Sequence, residues 1–306
     1  MKTKFAPALS GLELVHQGKV RDTFALPDHP DKLLVVSTGR ISTHNVVHES
    51  IIPWKGEVLT ALTVFWLSEV LRDIPNHLIA AGDAIFNFIP AKVLSGLPER
   101  IERRSIVVKK LKMLPIELVF RSRMAGSLWK DYYSKGLTNP YGLDLPSDMT
   151  LMSPFAETIF TPTEKSETDE PMSVGEARLL YRLVEELAAC AYERGRDFAK
   201  DRGIEIIDGK FEVGIDKRAI QLVLADECLT PDSCRFVPSG AIVVGQEPPW
   251  LDKQYVREAA EKLWNGGPKV PLTFPLDVCH ETTARYVDIY QRLTGKKFWN
   301  ENDQTF

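Results

Sequence analysis

Residues 204–227 read IEIIDGKFEVGIDKRAIQLVLADE, in which two apolar, β-branched runs stand on either side of the turn-like segment IDKR. This pattern predicts a β-hairpin. Because successive side chains of a strand point to opposite faces, Asp208, Lys210 and Glu212 share one face of the first strand. With a turn centred near Lys217, Asp226 at the end of the second strand would lie opposite Asp208. The alternative is a hairpin whose charged face is turned to water.

Carboxylates gathered on this hairpin would repel one another unless a cation lay between them. Ligation by a few carboxylates together with phosphate oxygens suits Mg²⁺. The second strand runs into LADECLTPDSCRF (224–236), which adds Glu227, Asp232 and Arg235 to Asp226. We interpret this segment as a strand end that delivers charged groups to a cleft. The alternative is an acidic surface turn chosen for its turn geometry.

The composition narrows the class of protein. The chain has 306 residues, 44% of them hydrophobic, which is enough for a sizeable core and two lobes. Its formal net charge of −4 argues against nucleic acid or anionic membrane as a partner and favours small molecules. We see no stretch of signal-peptide or membrane-span length and expect a cytoplasmic protein. The four cysteines form no CxxC pair, so we expect structural thiols.

Short apolar or alternating runs separated by Pro and Gly fill residues 12–110 and predict a strand-rich half. One helix, at 57–73, interrupts this half. After this strand-rich half, a strand runs into the small-residue turn MAGS (124–127) and on into a helical segment. Arg121 and Ser127 lie on either side of that turn.

Residues 137–172 are rich in Pro, Thr and Ser and predict a long loop, either a substrate-binding segment or a disordered stretch. The clearest helix of the chain follows at 173–203, with Ser173 as its N-cap and Gly203 as its stop.

The segment HQGKVRDTFAL (16–26) offers groups for phosphate binding. Gly18 lets the backbone approach a phosphate, and Lys19 and Arg21, two residues apart on one strand face, supply positive charge. The segment matches neither the Walker pattern nor GxGxxG, so a P-loop or Rossmann domain has no support.

Seven segments in order resemble the successive motifs of the SAICAR synthetase family, the phosphoribosylaminoimidazole-succinocarboxamide synthases. They are GKVRD (18–22), PWKGEVLT (53–60), PIELVFRSRMAGSLWKDY (115–132), IFTPTEKSETDEPM (159–172), DGKFEVG (208–214), DECLTPDSCRF (226–236) and DKQYVR (252–257). The resemblance covers nearly the whole chain.

The resemblance implies an α+β fold with two lobes. Residues 1–114 would form a β-rich, kinase-like ATP-binding lobe, and residues 115–306 a larger α+β lobe with the substrate and metal sites and the C-terminal helices. It also implies an ATP- and Mg²⁺-dependent ligase that condenses L-aspartate with carboxyaminoimidazole ribotide (CAIR) to give SAICAR, ADP and phosphate. Such an enzyme would be a cytoplasmic monomer or homodimer.

The resemblance assigns a role to each matching residue. ATP contacts fall to Gly18, Lys19, Arg21, Lys110 and Met113, and Mg²⁺ to Glu212 and Asp226. Substrate contacts fall to Arg121, Ser127, Lys165, Asp169, Arg235, Lys253 and Arg257. Asp208, Lys210 and Asp232 would lie at the reacting groups. Either Asp208 or Asp232 would be the base that deprotonates the aspartate amine.

One segment departs from the family pattern. Where the family usually reads SDRISAFD, residues 37–45 read STGRISTHN, so that Gly39 and Asn45 stand in place of two aspartates. This departure leaves two alternatives open: an ATP-dependent amide ligase for another small carboxylate, and a nucleotide-binding relative without this turnover. Because Lys19, Glu212 and Asp226 are all present, we expect the SAICAR-forming activity.

Overall fold

The computed structural model describes residue 9 and residues 11–137, 139–166 and 170–299. Asp169, assigned above to the substrate, lies outside these residues. Contacts between residues divide the chain into two compact units. Unit 1 comprises residues 1–69, 77–111 and 253–306, and unit 2 comprises residues 70–76 and 112–252.

The described residues mix strands and helices, as the α+β class requires. The strands are β1 (Leu14–Gln17), β2 (Arg21–Ala25), β3 (Lys32–Ser37), β4 (Arg40–Thr43), β5 (Val46–Ile51), β6 (Leu78–Ala81), β7 (Ser105–Lys109), β8 (Lys112–Met113), β9 (Ile116–Arg123), β10 (Pro154–Phe160), β11 (Thr163–Glu164), β12 (Ile204–Asp216), β13 (Gln221–Ala225) and β14 (Cys234–Pro238). The α-helices are α1 (Lys55–Phe65), α2 (Ala91–Leu94), α3 (Gly126–Trp129), α4 (Val174–Lys200), α5 (Gln254–Trp264) and α6 (Leu276–Thr294).

Unit 1 is built on a five-stranded antiparallel sheet with the order β1-β2-β3-β7-β6. The apolar run KLLVVS forms β3, and the alternation of its side chains buries Leu34 and Val36 completely. These two residues pack in one core with Phe24, Leu26 and Val107. The strand-rich half that the sequence predicts for residues 12–110 is confirmed, as is its single long helix, which continues beyond α1 as a π-helical turn at Trp66–Val70.

The C-terminal helices α5 and α6 complete unit 1. Ile41 and Ile52 of the β4–β5 region pack against Val256, Trp264 and Phe274, which lie more than 200 residues further along the chain. Backbone and side-chain hydrogen bonds join the same two regions, including Glu49 N to Leu272 O at 2.9 Å and Phe274 N to Ser50 Oγ at 2.7 Å.

The 1–114 and 115–306 lobes proposed from sequence therefore divide the chain differently from these contact units. The boundary near 114 lies close to the junction of Leu111 and Lys112, whereas residues 253–306 belong to unit 1 with the N-terminal strands. The proposed lobes were defined by the expected role of each residue in the reaction, whereas the two units are defined by contacts between residues.

Unit 2 is organised around β12, a strand of thirteen residues. Its first half pairs with β9 and β14, and its second half pairs with β13 and β8. The amphipathic helix α4 packs on this sheet, and its N-cap Ser173 accepts a hydrogen bond from the Glu176 amide, so the predicted helix is confirmed. The predicted loop at 137–172 is wrong in part, because β10 and β11 pair with β9 there.

The predicted hairpin is confirmed, but its predicted register is wrong. Asp216 pairs with Gln221 and Glu212 with Ala225, so the turn is centred beyond Lys217. Asp226 therefore follows the residue opposite Glu212 and does not lie across from Asp208. The turn spans residues 217–220 rather than the IDKR segment at 215–218, so Asp226 lies nearer to the tip of the hairpin than predicted.

No helix of the described residues combines the length and the apolar character needed to cross a bilayer.

Candidate active site

Three charged residues lie in register across the centre of the unit 2 sheet. Asp208 of β12 pairs with Arg121 of β9 on one side and with Arg235 of β14 on the other. Its Oδ2 accepts hydrogen bonds from Arg121 Nη1 at 2.8 Å and from Arg235 Nη1 at 2.5 Å. Arg121 and Asp208 are each only 4% exposed. Antiparallel pairing of three strands thus holds two guanidinium groups on one buried carboxylate, and we call these residues the Arg–Asp–Arg cluster.

Two other nitrogens of Arg121 also donate hydrogen bonds. Its Nε donates to Thr161 Oγ1 at 2.9 Å and its Nη2 to Ser127 Oγ at 3.0 Å. Thr161 is fully buried, and Ser127, the last residue of the MAGS segment, lies in α3. The predicted neighbours Arg121 and Ser127 are therefore brought together.

Arg235 differs from Arg121 in its bonding. Its Nε is buried and donates to no atom of the described residues. Gly126, with φ of +62°, lies against its guanidinium group, and a Cβ at this position would be 2.5 Å from the guanidinium carbon. A buried donor without a protein acceptor is costly unless a ligand or water satisfies it. Arg235 is therefore the member of the cluster that is best suited to bind an anion.

A second row of charges lies further along β12. Lys210 Nζ donates to Glu117 Oε1 at 2.5 Å and to Glu212 Oε1 at 3.4 Å, and Lys165 Nζ pairs with Glu212 Oε2. Burial disfavours the charged form of Lys210, but the surrounding carboxylates, first Glu212 and then Glu117, outweigh it and raise the pKa of the ammonium. Lys210 is therefore a fixed positive charge, and we call these four residues the lysine–glutamate row.

The DECLTPDSC segment begins directly after β13. Asp226 has φ of +62°, and its charge also contributes to raising the pKa of Lys210. The turn is held by Thr230 N to Ser233 Oγ at 3.2 Å and Ser233 N to Thr230 O at 3.0 Å, which places Asp232 at its partly exposed centre.

The two cysteines of this segment are unsuited to nucleophilic chemistry. Cys228 and Cys234 are buried, and burial raises the pKa of both thiols. They are neutral at physiological pH.

The donor set on the hairpin fits Mg²⁺ only as part of a larger complex. Glu212 and Asp226 carry carboxylate oxygens of the kind that Mg²⁺ prefers, but the described residues contain no group of three or more His, Cys, Asp or Glu side chains arranged to hold a metal. Mg²⁺ is commonly bound through one or two carboxylates together with water and substrate phosphates. The residues present therefore fit a magnesium–nucleotide complex rather than a metal held by protein alone.

The predicted phosphate-binding residues lie in unit 1. Lys19 is in the turn between β1 and β2, so the prediction that it shares a strand face with Arg21 is wrong. Gly18 N donates to Arg21 O at 2.8 Å, and Arg40 donates to Gly18 O at 3.0 Å and to Lys19 O at 3.2 Å. Arg40 is itself fixed by a buried bidentate pair with Asp22.

The other predicted residues are spread over both units. Lys110 of unit 1 is exposed, and Met113 of β8 in unit 2 is 38% exposed. Lys253 precedes α5 and is buried, and Arg257 lies one turn into that helix in unit 1. The Arg–Asp–Arg cluster and the lysine–glutamate row thus both lie in unit 2. The turn that contains Gly18 and Lys19, which we call the glycine–lysine turn, lies in unit 1, as do Lys253 and Arg257.

Sequence reasoning missed Glu117, Thr161 and Arg40. Glu117 is detectable in principle, because it lies four residues before Arg121 on the same face of an alternating strand. Thr161 and Arg40 lack such a signal, since their roles depend on contacts over 40 and 22 residues.

A family model described as SAICAR synthetase matches residues 14–271. The phosphoribosylaminoimidazole-succinocarboxamide synthase of Saccharomyces cerevisiae is 40% identical over 300 residues, covering 94% of this chain and 96% of that protein. The enzyme of the same name from Desulfotalea psychrophila is 38% identical over 295 residues, covering 93% and 96%.

Solved structures agree with these relatives. The SAICAR synthase of Saccharomyces cerevisiae complexed with SAICAR has a TM-score of 0.82 to this structure at 38% identity, covering 95% of this chain and 98% of that one. This chain therefore belongs to the SAICAR synthetase family, the ligases that join L-aspartate to CAIR in purine biosynthesis.

Proposed function

We propose that this chain carries out its family's reaction in the cytoplasm with ATP and Mg²⁺, through the residues of the two charged groups in unit 2 and the glycine–lysine turn of unit 1. The observation that carries the assignment is the Arg–Asp–Arg cluster, in which Asp208 Oδ2 accepts from both guanidinium groups and Arg235 Nε has no acceptor within the described residues. The relatives favour neither alternative raised by residues 37–45.

The chemistry requires a carboxylate to become an electrophile. Resonance and negative charge both disfavour attack by an amine, so phosphorylation by ATP would first convert the CAIR carboxylate into an acyl phosphate. The aspartate amine then forms the C–N bond as phosphate leaves. Negative charge accumulates on the transferring phosphoryl group, and fixed cations that need no reorganisation stabilise it. Lys210 meets this requirement, because its neighbours raise its pKa and keep it charged.

Arg121 and Arg235 are proposed to bind substrate anions. A guanidinium group offers a planar fork of donors that matches carboxylate and phosphate oxygens. In the described structure Arg121 is held by Ser127, Thr161 and Asp208, so its plane is fixed before substrate binds. Lys253 and Arg257 would serve the ribotide phosphate.

Glu212 and Asp226 are proposed to hold Mg²⁺, which when bound would neutralise phosphate charge and orient the nucleotide. Lys165 and Lys210 pair with the two oxygens of Glu212 and keep its carboxylate in place. Gly18, Lys19 and Arg21, with Lys110 and Met113, are proposed as the nucleotide contacts.

The two candidate bases differ in their surroundings. Asp208 is engaged by two guanidinium groups through one oxygen, so its proposed role is to hold the arginines in place. Asp232 lies at the partly exposed centre of its turn and is the better candidate to take the proton from the aspartate amine.

Product formation from CAIR and ATP, with aspartate offered among other amino acids, tests the proposed reaction by mass spectrometry. We expect SAICAR as the main product and ADP in equal amount. Glu212→Gln and Asp226→Asn should each abolish turnover at ordinary Mg²⁺ with the fold intact, whereas Asp197→Asn, which changes an exposed carboxylate on α4, should not. A preferred amine other than aspartate would overturn the specific function, and wild-type turnover by both hairpin variants would overturn the metal assignment.

A further inference from the structure

The glycine–lysine turn fixes the backbone of Lys19 but not its side chain. Arg40 holds the carbonyl groups of Gly18 and Lys19, and Thr38 Oγ1 donates to Val20 O at 2.7 Å. A lysine side chain nevertheless has a flexible four-carbon stem beyond this backbone, so the position of its ammonium group needs a separate determinant.

Asn45 supplies that determinant. Lys19 Nζ donates to Asn45 Oδ1 at 2.5 Å, and both residues are exposed. An exposed hydrogen bond of this kind replaces one that water would otherwise make, so it adds little to the stability of the folded state. Its main physical effect is therefore to select one direction for the ammonium group.

Asn45 is itself held in place by the β4–β5 hairpin. Thr43 pairs with Val46, and the two residues between them, His44 and Asn45, have φ of +50° and +64°. Two successive left-handed residues define the tight hairpin turn for which Asn and Gly are favoured. His44 Nε2 lies 3.1 Å from Glu261 Oε1, and its ring packs edge-on against Trp264 at 5.5 Å. The hairpin tip is thus anchored on α5, within the same unit.

We infer that Asn45 is a positioning residue, which aims the Lys19 ammonium group at the phosphates of ATP. The aspartate that the family usually has at this position would also accept from Lys19, so the positioning role requires an acceptor oxygen at residue 45 rather than an amide in particular. This inference rests on the proposed role of Lys19 in binding ATP.

The hairpin geometry allows a clean test, because glycine is at least as well suited as asparagine to a left-handed turn position. Asn45→Gly therefore removes the acceptor and keeps the turn. We expect it to raise KM for ATP by about three- to tenfold, the loss of roughly one oriented charge-assisted contact, with kcat within about twofold and Tm unchanged or higher. Asn45→Asp keeps an acceptor oxygen for Lys19 and should leave KM for ATP within about twofold.

Asn265→Gly is the matched control, since Asn265 also has a left-handed backbone, with φ of +44°, but caps the end of α5. It should leave KM for ATP unchanged. The specific readout is a double-mutant cycle with Lys19→Met. If Asn45 acts through Lys19, Asn45→Gly should have no further effect on KM for ATP once Lys19 is replaced.

Three outcomes would overturn the inference. An equal effect of Asn45→Gly with and without Lys19 would show that it acts by another route. An unchanged KM in Asn45→Gly, with a raised KM in Lys19→Met, would show that Lys19 needs no positioning. An unchanged KM in Lys19→Met would overturn the ATP assignment of Lys19 together with the inference, and is distinguishable from the other two outcomes.

Discussion

Gly126 and Arg235 make a contact that would be impossible if residue 126 had a side chain. A Cβ at residue 126 would lie 2.5 Å from the guanidinium carbon and from both terminal nitrogens of Arg235, and the glycine has φ of +62°. The absent side chain therefore provides the space in which Arg235 reaches Asp208.

Gly126→Ala should move Arg235 and disrupt the Arg–Asp–Arg cluster. We expect CAIR to bind at least about tenfold more weakly, because charge-assisted hydrogen bonds of roughly 1.5–3 kcal/mol are lost. Gly136→Ala is the control: Gly136 has φ of +63°, but no atom lies within 4 Å of the point that an alanine methyl group would occupy, so it reports backbone strain alone. Equal CAIR affinities for the two variants, measured by calorimetry, would contradict the role of the contact.

Arg121→Ala should weaken binding of the ribotide and aspartate much more than binding of ATP. The expected loss is about 1.5–3 kcal/mol for the substrate anion, against less than about threefold in Kd for the nucleotide. Arg123→Ala removes an arginine from the same strand face, where it pairs with Glu205 at 3.3 Å, and serves as the matched control. Calorimetry that finds equal losses for nucleotide and ribotide in Arg121→Ala would contradict the assignment.

His48 should make unit 1 sensitive to acid. Burial, followed by the charges of Lys253 and His44, lowers the pKa of its imidazole to about 4. Its Nδ1 accepts from Leu272 N at 3.2 Å, which requires a deprotonated nitrogen. Because the unfolded chain binds a proton at a higher pH than the folded chain does, this contribution to stability is complete above about pH 6.5 and is lost as pH falls toward 4.

The expected size of this effect is about 3 kcal/mol, from roughly 1.4 kcal/mol per pKa unit. His48→Gln should be less stable at pH 7 but should lose less stability than the wild type between pH 6.5 and 4. Thermal unfolding across this range measures the difference, with the exposed His280→Gln as control. If the stability of the wild type and of His48→Gln fell equally with pH over this range, His48 would be ruled out as the source of the acid sensitivity.

Gly39→Asp, which restores the family's usual residue, should reduce stability without raising the rate of SAICAR formation. A Cβ at residue 39 would lie 2.5 Å from Ile51 Cγ2 and 2.9 Å from Ile52 O, so the neighbouring residues leave no room for a side chain at this position. Gly39→Ala should therefore lower Tm about as much as Gly39→Asp, and Ile51→Ala should relieve part of the loss. An unchanged Tm in Gly39→Ala would show that the segment adjusts freely.

The sequence was most informative where the structure depends on the alternation of side chains between the two faces of a strand. The face shared by Asp208, Lys210 and Glu212 follows from a period of two, and the 3.4 Å contact of Lys210 with Glu212 agrees with it. The position of the turn was not determined in this way, because residues 216–221 contain no strong turn pair such as Asn-Gly. The register error at Asp226 followed from this missing signal.

Contacts between distant segments were beyond sequence reasoning. The pairing of Arg121 with both Asp208 and Ser127 requires strand neighbours separated by 87 residues and a turn only six residues away. Nothing in the periodicity of either strand specifies its neighbour. The motif resemblance supplied the grouping of these residues, and the sheet pairing supplies its physical reason.

The attachment of β5 to the C-terminal segment has a consequence for synthesis on the ribosome. His48, Glu49 and Ser50 bond to partners 224 residues later in the chain. At about 5–20 residues per second, those partners emerge roughly 10–45 seconds after the strand does. Throughout that interval Ile41 and Ile52 lack the core that finally buries them. We therefore expect nascent chains to need chaperone protection at this hairpin, whereas residues 112–252 can begin to fold before translation ends.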